Sequence, residues 1–138
     1  VISAGTNAAE RDMAWAESVL GSVGLVERAP ENLLDAVTGL SGSGPAYVFL
    51  MLEAMIDGGV AAGLSRPVAE RLAGQTMLGA ASLYLASDAS PADLRDQVTS
   101  PGGTTAAGLA VLEQRGFARA LVDAVVAARD RSVELGAD

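Results

Sequence analysis

Apolar residues return every three to four positions through most of this 138-residue chain. That spacing is typical of α-helices with one buried face. Residues 46–62 are apolar almost all round, which predicts a helix covered on most of its sides. Six helices are predicted after Pro30: 31–40, 46–62, a run from Ser65 to Leu83, a run from Ser90 to Val98, 105–114 and 117–135.

Glycine, proline and serine mark the ends of these helices. The S-G-S-G segment at 41–44 interrupts the first helix, and Pro45 stands where a first helical residue is expected. Gly63 and Gly116 are expected at helix C-termini. Ser90 is followed by a proline and then an acid in the first turn, which is typical of a capped helix start.

The first 28 residues follow a different pattern. Residues 1–5 and 25–26 are typical of short strands, and Asn7 between them is a candidate N-cap with Glu10 three residues on. We therefore expect 1–29 to be the C-terminal end of a Rossmann-type cofactor domain, a strand–helix–strand remnant. Residues 30–138 are expected to form an all-α domain. Since Val1 is not a start methionine, we expect the chain to be part of a longer protein.

The helices are expected to form a dimerisation bundle. About six short helices cannot cover the nearly all-apolar segment 46–62 on every side, so a second copy is expected to supply the missing surface. Small residues permit helices to approach closely, and five lie in the predicted helices: Gly58, Gly59, Gly74, Gly79 and Ala80.

The amino-acid composition limits the kinds of partner that the chain can bind. The formal charge of −8 argues against nucleic acid and against anionic membrane surfaces. No uncharged apolar run is long enough to span a membrane, and no basic segment followed by an apolar one suggests targeting. The chain has no cysteine, which fits a cytoplasmic location.

The absent residue types limit the chemistry further. The chain has no histidine, and all nine of its cations are arginines. Imidazole acid–base catalysis, thiolate nucleophiles, Schiff-base lysines and P-loop lysines are excluded, and no metal site is expected. Carboxylates, hydroxyls, backbone amides and arginine remain, so difficult chemistry would need a cofactor.

The stretch R-D-Q-V-T-S-P-G-G-T-T, from Arg95 to Thr105, holds the strongest candidate site. Gly102 and Gly103 follow a proline and force a tight turn, and Thr104 and Thr105 open the next apolar run. Their amide groups should be the unpaired donors of a helix N-terminus, which attracts anions. With a single arginine in the stretch, we expect a small carboxylate there and not a nucleotide phosphate.

Simpler interpretations stand beside these. Ser41–Pro45 could be only a loop that joins two helices, or a backbone surface that a ligand approaches. The turn at 101–103 could also be only a connection, but hydroxyls at Thr99, Ser100, Thr104 and Thr105 surround it.

The charged side chains of the stretch also have simple explanations. Asp93 and Asp96 could form an acid–base pair, but a helix cap explains Asp93 more simply. Arg95 could bind an anion, and a salt bridge is the simpler role.

Three motifs together resemble the pyrroline-5-carboxylate reductase family: S-G-S-G-P-A-Y at 41–47, G-L-S-R-P-V-A at 63–69 and L-R-D-Q-V-T-S-P-G-G-T-T at 94–105. The resemblance runs from Val1 to Leu135, in order and spacing. It implies reduction of the cyclic imine 1-pyrroline-5-carboxylate to L-proline with hydride from NADPH or NADH. It also implies an obligate homodimer, which in some members assembles further into a ring of dimers. The glycine-rich Rossmann fingerprint of the family is absent, so the cofactor is expected to bind mainly to a domain outside this chain, and the chain alone is expected to be inactive.

The resemblance also implies roles for individual residues. Ser100 and the backbone amides at Gly102, Gly103 and Thr104 are implied to hold the substrate carboxylate. Thr105 is implied to join them and to orient the ring nitrogen as the catalytic residue. The segment Ser41, Gly42, Ser43, Gly44 and Pro45 is implied to lie beside the substrate and the nicotinamide.

Two alternatives remain open at this point. One is a non-catalytic helical oligomerisation module in which both glycine segments are only turns. The other is the C-terminal domain of a related imine or β-hydroxy acid reductase.

Overall fold

The computed structural model describes residues 1–137, and in them it has seven α-helices and no strand. The predicted all-α fold after residue 30 is confirmed. Within residues 1–137, no helix combines the length and the apolar character needed to cross a membrane. The helices are α1 (Glu10–Leu20), α2 (Leu34–Val37), α3 (Gly44–Ala61), α4 (Arg66–Leu85), α5 (Pro91–Gln97), α6 (Thr104–Gln114) and α7 (Phe117–Gly136); a 3₁₀ turn (Glu31–Leu33) precedes α2 and a π-turn (Thr38–Gly42) follows it.

The chain forms two compact units. The first contains residues 1–44 together with 122–138, and the second contains residues 45–121. The first unit therefore combines α1, α2, the π-turn and the greater part of α7. The boundary between a cofactor domain and a helical domain after residue 29 stays a prediction.

The two strands predicted at the start of the chain are not formed in the described residues. A single parallel bridge joins Ile2 to Arg28 instead. The amide of Ile2 donates to the Glu27 carbonyl at 2.9 Å, and the amide of Ala29 donates to the Ile2 carbonyl at 3.0 Å. An isolated two-stranded pair is marginal in water, because a stable sheet needs further strands and a covered face. The strand–helix–strand remnant is thus reduced to one bridge and α1.

Helix α1 begins later than the sequence suggested. Its N-cap is Ala9, in an extended conformation, and not Asn7. The Asp12 carboxylate accepts a hydrogen bond from the Ala9 amide at 2.9 Å, so it plays the part expected of Glu10. An acid in the first turn can satisfy the cap amide from this position, which makes a polar cap side chain unnecessary.

The predicted boundaries at Gly63, Ser65, Ser90 and Gly116 are confirmed. Gly63 and Gly116 adopt left-handed φ angles of +102° and +72° just after the ends of α3 and α6, where side chains would be strained. The Ser90 hydroxyl accepts a hydrogen bond from the Asp93 amide at 3.2 Å, and Ser65 is the N-cap of α4.

In the second unit, α3 and α4 pack through small residues. A Cβ added to Gly59 would lie 3.2 Å from the Ala69 Cβ, and Ala69 is buried. An ion pair of 2.7 Å between Arg66 and Asp57 joins the start of α4 to the end of α3. The short connection, the glycine and the ion pair together fix how the two helices meet.

The chain covers little of its own apolar surface. Among the described residues only Met13, Ala69 and Ala73 are buried apolar residues, and no residue of α3 is buried. The predicted cover of α3 on most sides is thus not supplied by the single chain, and its supply by a second copy stays a prediction. The large side chains of α3 left exposed are Val48, Phe49, Leu50, Met55 and Val60.

Arg28 forms an ion cluster that holds α1 against the segment after it. Its Nη1 donates to Glu10 at 2.9 Å, its Nη2 donates to Glu17 at 2.7 Å, and its Nε also donates to Glu17. The hydrogen bonds from Arg28, more than its charge at a distance, hold the pKa values of both glutamates below their ordinary value. The same bonds raise the pKa of Arg28. The cluster thus stabilises the charged forms of all three groups.

Replacing Arg28 by Gln should make the stability of the protein less sensitive to acid. A carboxyl with a lowered pKa in the folded state contributes stability that is complete above its unfolded pKa and is lost as the pH falls through the folded pKa. The ordinary value here is 4.5. Thermal unfolding measured across pH should therefore show wild type more stable than Arg28→Gln at neutral pH, with the gap closing below that value.

The matched control is Arg131→Gln. Arg131 pairs with Glu134 one turn away on α7, with both side chains 65% exposed, and such pairs contribute little. Equal effects of the two substitutions at every pH would contradict the role given to the Arg28 cluster.

Candidate functional site

Asp93, one of the two candidate acids, is a hydrogen-bond partner of the cap residue at the start of α5. The Asp93 carboxylate accepts hydrogen bonds from the Ser90 amide at 3.1 Å and the Ser90 hydroxyl at 2.6 Å. The hydroxyl is the main cause of the lowered pKa of Asp93, and the amide adds to it. A carboxylate held in its charged form as a cap partner is a poor general acid, so Asp93 serves the helix end.

Side chains at the end of α5 are also occupied. Arg95 lies 3.7 Å from Asp96 in an exposed ion pair, as the simpler interpretation of Arg95 expected. The Thr99 hydroxyl donates to the Arg95 carbonyl at 2.6 Å, one turn back in the helix. Of the four hydroxyls around the turn, that of Thr99 is thus committed to the backbone of α5.

Residues 100–103 form a tight turn. The Gly103 amide donates to the Ser100 carbonyl at 2.9 Å, and Gly102 has a φ of +69°. Proline in the second position and a left-handed glycine in the third are the residues of a type II turn. A Cβ on Gly103 would lie 3.1 Å from the Ser100 carbonyl oxygen, so a side chain at this position would crowd the backbone of the turn. Gly102 is therefore favoured by its left-handed backbone, and Gly103 by the lack of space for a side chain.

Helix α6 starts directly at this turn. Gly103 is its N-cap, with extended backbone and no side-chain cap, and α6 begins at Thr104, one residue before the predicted start. The first intrahelical bond is from the Ala107 amide to the Gly103 carbonyl at 3.2 Å. The amides of Thr104, Thr105 and Ala106 come before Ala107 in the chain, so they have no acceptor within the helix and point out of its end.

The polar groups of this helix end face solvent. Ser100, Thr104 and Thr105 are exposed, and Gly103 is half-buried. Amide donors at a helix N-terminus carry a partial positive charge, and the hydroxyls of serine and threonine can add hydrogen bonds. The segment 100–105 can therefore bind a small anion such as a carboxylate. No group of three or more metal-ligating side chains lies together anywhere in residues 1–137.

The other candidate segment, 41–45, is helical on both sides of Ser43, because Ser41 and Gly42 end the π-turn while Gly44 and Pro45 begin α3. The Ser43 amide donates to the Thr38 carbonyl at 2.8 Å, five residues back, and this bond widens the helix into the π-turn. The Ser41 hydroxyl donates to the Val37 carbonyl at 3.0 Å. The predicted interruption at 41–44 is reduced to Ser43, since the π-turn extends to Gly42 and Gly44 already begins α3.

The structure places the candidate residues in two groups. Ser41, Gly42, Ser43 and Gly44 belong to the first compact unit. Pro45 and the segment 100–105 belong to the second unit. The segment 100–105 is ordered by the bond from the Gly103 amide to the Ser100 carbonyl, and Ser43 by the bond from its amide to the Thr38 carbonyl.

A separate concave surface of about 400 Å³ lies beside α1 in the first unit. Ile2, Met13, Arg28 and Pro30 are among the residues that line it, and none of the candidate site residues does. Arg28 and Glu10 in its lining are paired with each other in the Arg28 cluster, and Glu31 is the other charged residue that lines it.

Sequence reasoning missed the residues that fix the π-turn. A Cβ on Gly39 would lie only 2.6 Å from the Val125 carbonyl oxygen of α7, and the Ser132 hydroxyl donates to the Asp35 carboxylate at 2.7 Å. Ser132 continues the spacing of three to four positions at which Leu121, Val125 and Ala128 recur on α7. A polar residue in an otherwise apolar stripe was the signal that it has a hydrogen-bond partner.

Comparisons with known proteins agree on one family. Residues 31–135 match the family model for pyrroline-5-carboxylate reductase dimerisation. The chain is 58% identical over 124 residues to a pyrroline-5-carboxylate reductase of Synechocystis, covering 90% of this chain and 46% of that protein. It is 55% identical over 135 residues to the Arabidopsis thaliana enzyme, covering 98% of this chain and 49% of that protein.

Solved structures give the same result. A pyrroline-5-carboxylate reductase from Coxiella burnetii superposes with a TM-score of 0.92 at 40% identity, over 96% of this chain and 50% of that one. The Plasmodium falciparum pyrroline carboxylate reductase with NADP bound superposes with a TM-score of 0.89 at 37% identity, over 96% of this chain and 53% of that one. The chain spans about half the length of the relatives it matches.

Substitution of Gly102 should separate the backbone requirement of the turn from side-chain effects. No atom outside the turn lies within 4 Å of a Cβ at this position, so a substitution reports only the left-handed φ. Valine should lower the free energy of unfolding by roughly 1–2 kcal/mol, and asparagine, which tolerates this conformation, by clearly less. Urea unfolding of both variants measures the difference. A Gly102→Val variant as stable as wild type would contradict the turn geometry.

Proposed function

Because the chain belongs to the pyrroline-5-carboxylate reductase family, we propose that it supplies the substrate-binding and dimerisation part of an enzyme that reduces 1-pyrroline-5-carboxylate to L-proline. The family match covers residues 31–135, and the relatives carry that activity in their names. The observation that carries the proposal is the type II turn at the start of α6, which presents backbone amides and exposed hydroxyls to an anion.

The substrate carboxylate binds at this turn. Ser100 donates its hydroxyl, and the amides of Thr104 and Thr105 supply the remaining hydrogen bonds, while Gly102 and the Gly103 amide close the turn that places them. A neutral helix end suits a single carboxylate, because binding requires neither a buried cation nor a large rearrangement. The occupied positions of Arg95 and Asp93 leave the anion to the backbone and the hydroxyls.

The Thr105 hydroxyl orients the ring nitrogen of the bound imine. In the reaction a hydride and its electron pair add to the carbon of the C=N bond, and the nitrogen, protonated as the iminium, keeps its proton and becomes the ring amine. The iminium is itself a strong electrophile, so the site needs no strong base. A chain without histidine, lysine and cysteine is therefore adequate, and its contribution is to hold the imine carbon in place.

A nicotinamide cofactor, NADPH or NADH, supplies the hydride when bound. The backbone at Ser41–Pro45 fits such a neighbour, since no atom lies within 4 Å of a Cβ added to Gly44 and a flat ring can approach the chain there. One solved relative is described with NADP bound. A cofactor domain, of which residues 1–29 are the end, holds the rest of the dinucleotide, and the 138-residue chain alone is inactive.

Two copies of the chain form an obligate homodimer in the cytoplasm, and dimers of this kind can assemble into rings. Support comes from the family model, which describes dimerisation, and from α3, whose large apolar side chains lie exposed in the single chain. Phe49 is 63% and Leu50 is 68% exposed, and surface of this kind is stable in water when a second copy covers it.

The competing function is a non-catalytic oligomerisation module, which the exposed apolar face of α3 alone would also serve. A related reductase of another imine or a β-hydroxy acid is a further alternative. The three functions separate in one assay of the intact protein: hydride transfer to 1-pyrroline-5-carboxylate, hydride transfer only to another substrate, or neither.

Replacement of Thr105 by Val should lower kcat for 1-pyrroline-5-carboxylate by about ten- to a hundredfold, because the nitrogen loses its orienting hydrogen bond. The substitution keeps the shape and removes only the hydroxyl. Thr105→Ser restores the hydroxyl and should recover most of the rate. Steady-state kinetics of the intact protein measure both variants, and unchanged turnover of Thr105→Val would overturn the role of this residue.

Replacement of Ser100 by Ala should act on binding. The loss of one hydrogen bond to a charged carboxylate corresponds to roughly 1.5–3 kcal/mol, so KM should rise by about tenfold or more while kcat stays close to wild type. Ser87→Ala, in the connection before α5, is the matched control, because its hydroxyl accepts only from the nearby Ala89 amide. A fall in kcat without a rise in KM would contradict carboxylate binding by Ser100.

A further inference from the structure

The direction of the segment Ser41–Gly44 depends on a single widened helical turn. The bond from the Ser43 amide to the Thr38 carbonyl spans five residues, against four in an α-helix. Each residue of a helix turns the chain by about 100°, so one extra residue in the turn rotates everything after it by that angle. Whether this turn is of the π or the α type therefore decides which way Ser41–Gly44 faces within the first unit.

The π-turn is held against α7 by backbone contact at Gly39. A Cβ placed there would lie 2.6 Å from the Val125 carbonyl oxygen and 2.9 Å from the Arg129 amide nitrogen. Gly39 is buried, so the two backbones meet with no side chain between them. Only glycine fits, and the contact fixes the distance between the π-turn and α7.

One turn before Gly39, a polar contact fixes the rotation. The Ser132 hydroxyl donates to an Asp35 carboxylate oxygen at 2.7 Å, and both residues are half-buried. Asp35 precedes Gly39 by four residues, and Ser132 follows Arg129 by three, so the two contacts lie on successive turns of antiparallel helices. A contact at one point permits rotation about it, but two contacts on successive turns do not.

We infer that Asp35 and Ser132 are positioning residues for the proposed reduction. Their hydrogen bond, together with the Gly39 contact, keeps the helix in its π form over Thr38–Gly42 and so sets the backbone direction of Ser41–Gly44, the segment proposed to lie beside the nicotinamide. Both residues act through the backbone of that segment. The inference rests on the proposed function, since it gives these residues a part in placing that segment.

The test compares variants of Ser132 in the intact protein. Ser132→Ala removes the donor, Ser132→Thr restores it, and Ser132→Cys keeps the size but weakens the donor. Ser132→Ala should lower kcat for 1-pyrroline-5-carboxylate by about ten- to a hundredfold through misplacement, while KM for the imine stays unchanged because the carboxylate binds elsewhere. The kcat of Ser132→Thr should be close to that of wild type, and the kcat of Ser132→Cys should be intermediate. If Ser132→Ala does not fold, these two variants still test the inference.

The control is Ser22→Ala, which removes an exposed hydroxyl that donates to the Val19 carbonyl at the end of α1 at 2.7 Å. It should leave both kinetic constants unchanged. Wild-type kcat in Ser132→Ala, or equal losses in Ser132→Ala and Ser132→Thr, would overturn the inference.

Hydrogen exchange provides a readout that does not depend on activity. The Ser43 amide closes the π-turn, so its exchange should be faster in Ser132→Ala and unchanged in Ser132→Thr and Ser22→Ala. Unchanged exchange at Ser43 in Ser132→Ala would overturn the inference whatever the kinetics. A wild-type protein that does not reduce the imine would instead refute the proposed function, and the exchange result would still decide whether Ser132 holds the π-turn.

Discussion

The apolar surface of α3 is the constraint on which the rest of the structure depends. An eighteen-residue helix with no buried residue exposes Phe49 and Leu50 by about two thirds. Each buried square ångström of such surface stabilises a protein by roughly 25 cal/mol, so exposure on this scale is too costly for a small domain to keep. A covering surface from a second copy resolves the conflict, and it explains why the described chain buries only three apolar side chains of its own.

The outward-facing apolar side chains also explain why small residues lie between the helices. With its large side chains facing outward, the chain holds its own helices together through close backbone contact, as at Gly59 against Ala69 and at Gly39 against α7. Contacts between small residues fix the distance between two helices well but fix their relative rotation poorly. Polar contacts limit that rotation: Arg66 pairs with Asp57 beside the first contact, and Ser132 bonds Asp35 beside the second.

The candidate site also relies on the backbone and on small polar side chains. The turn at 100–103 and the first residues of α6 present amides and hydroxyls, and the charged groups nearby are engaged in a cap and an ion pair. Such a site can hold a small anion, but it supplies neither a strong acid nor a hydride. Reduction of an iminium by a bound nicotinamide cofactor is the kind of reaction that needs no more from the protein than placement.

The sequence by itself determined the helices after residue 30, their glycine and serine boundaries, the tight turn before α6 and the family. These features depend on local preferences: Ser90 caps because its hydroxyl reaches an amide three residues on, and Gly102 turns because it lacks a Cβ. The tertiary structure decided what local preference leaves open. The strands before and after α1 shrink to one bridge, because a strand needs neighbours that the local sequence does not specify. The S-G-S-G interruption shrinks to Ser43 and the turn before it widens to the π form, where Gly39 and Asp35 meet residues of α7 that lie about 90 positions further along the chain.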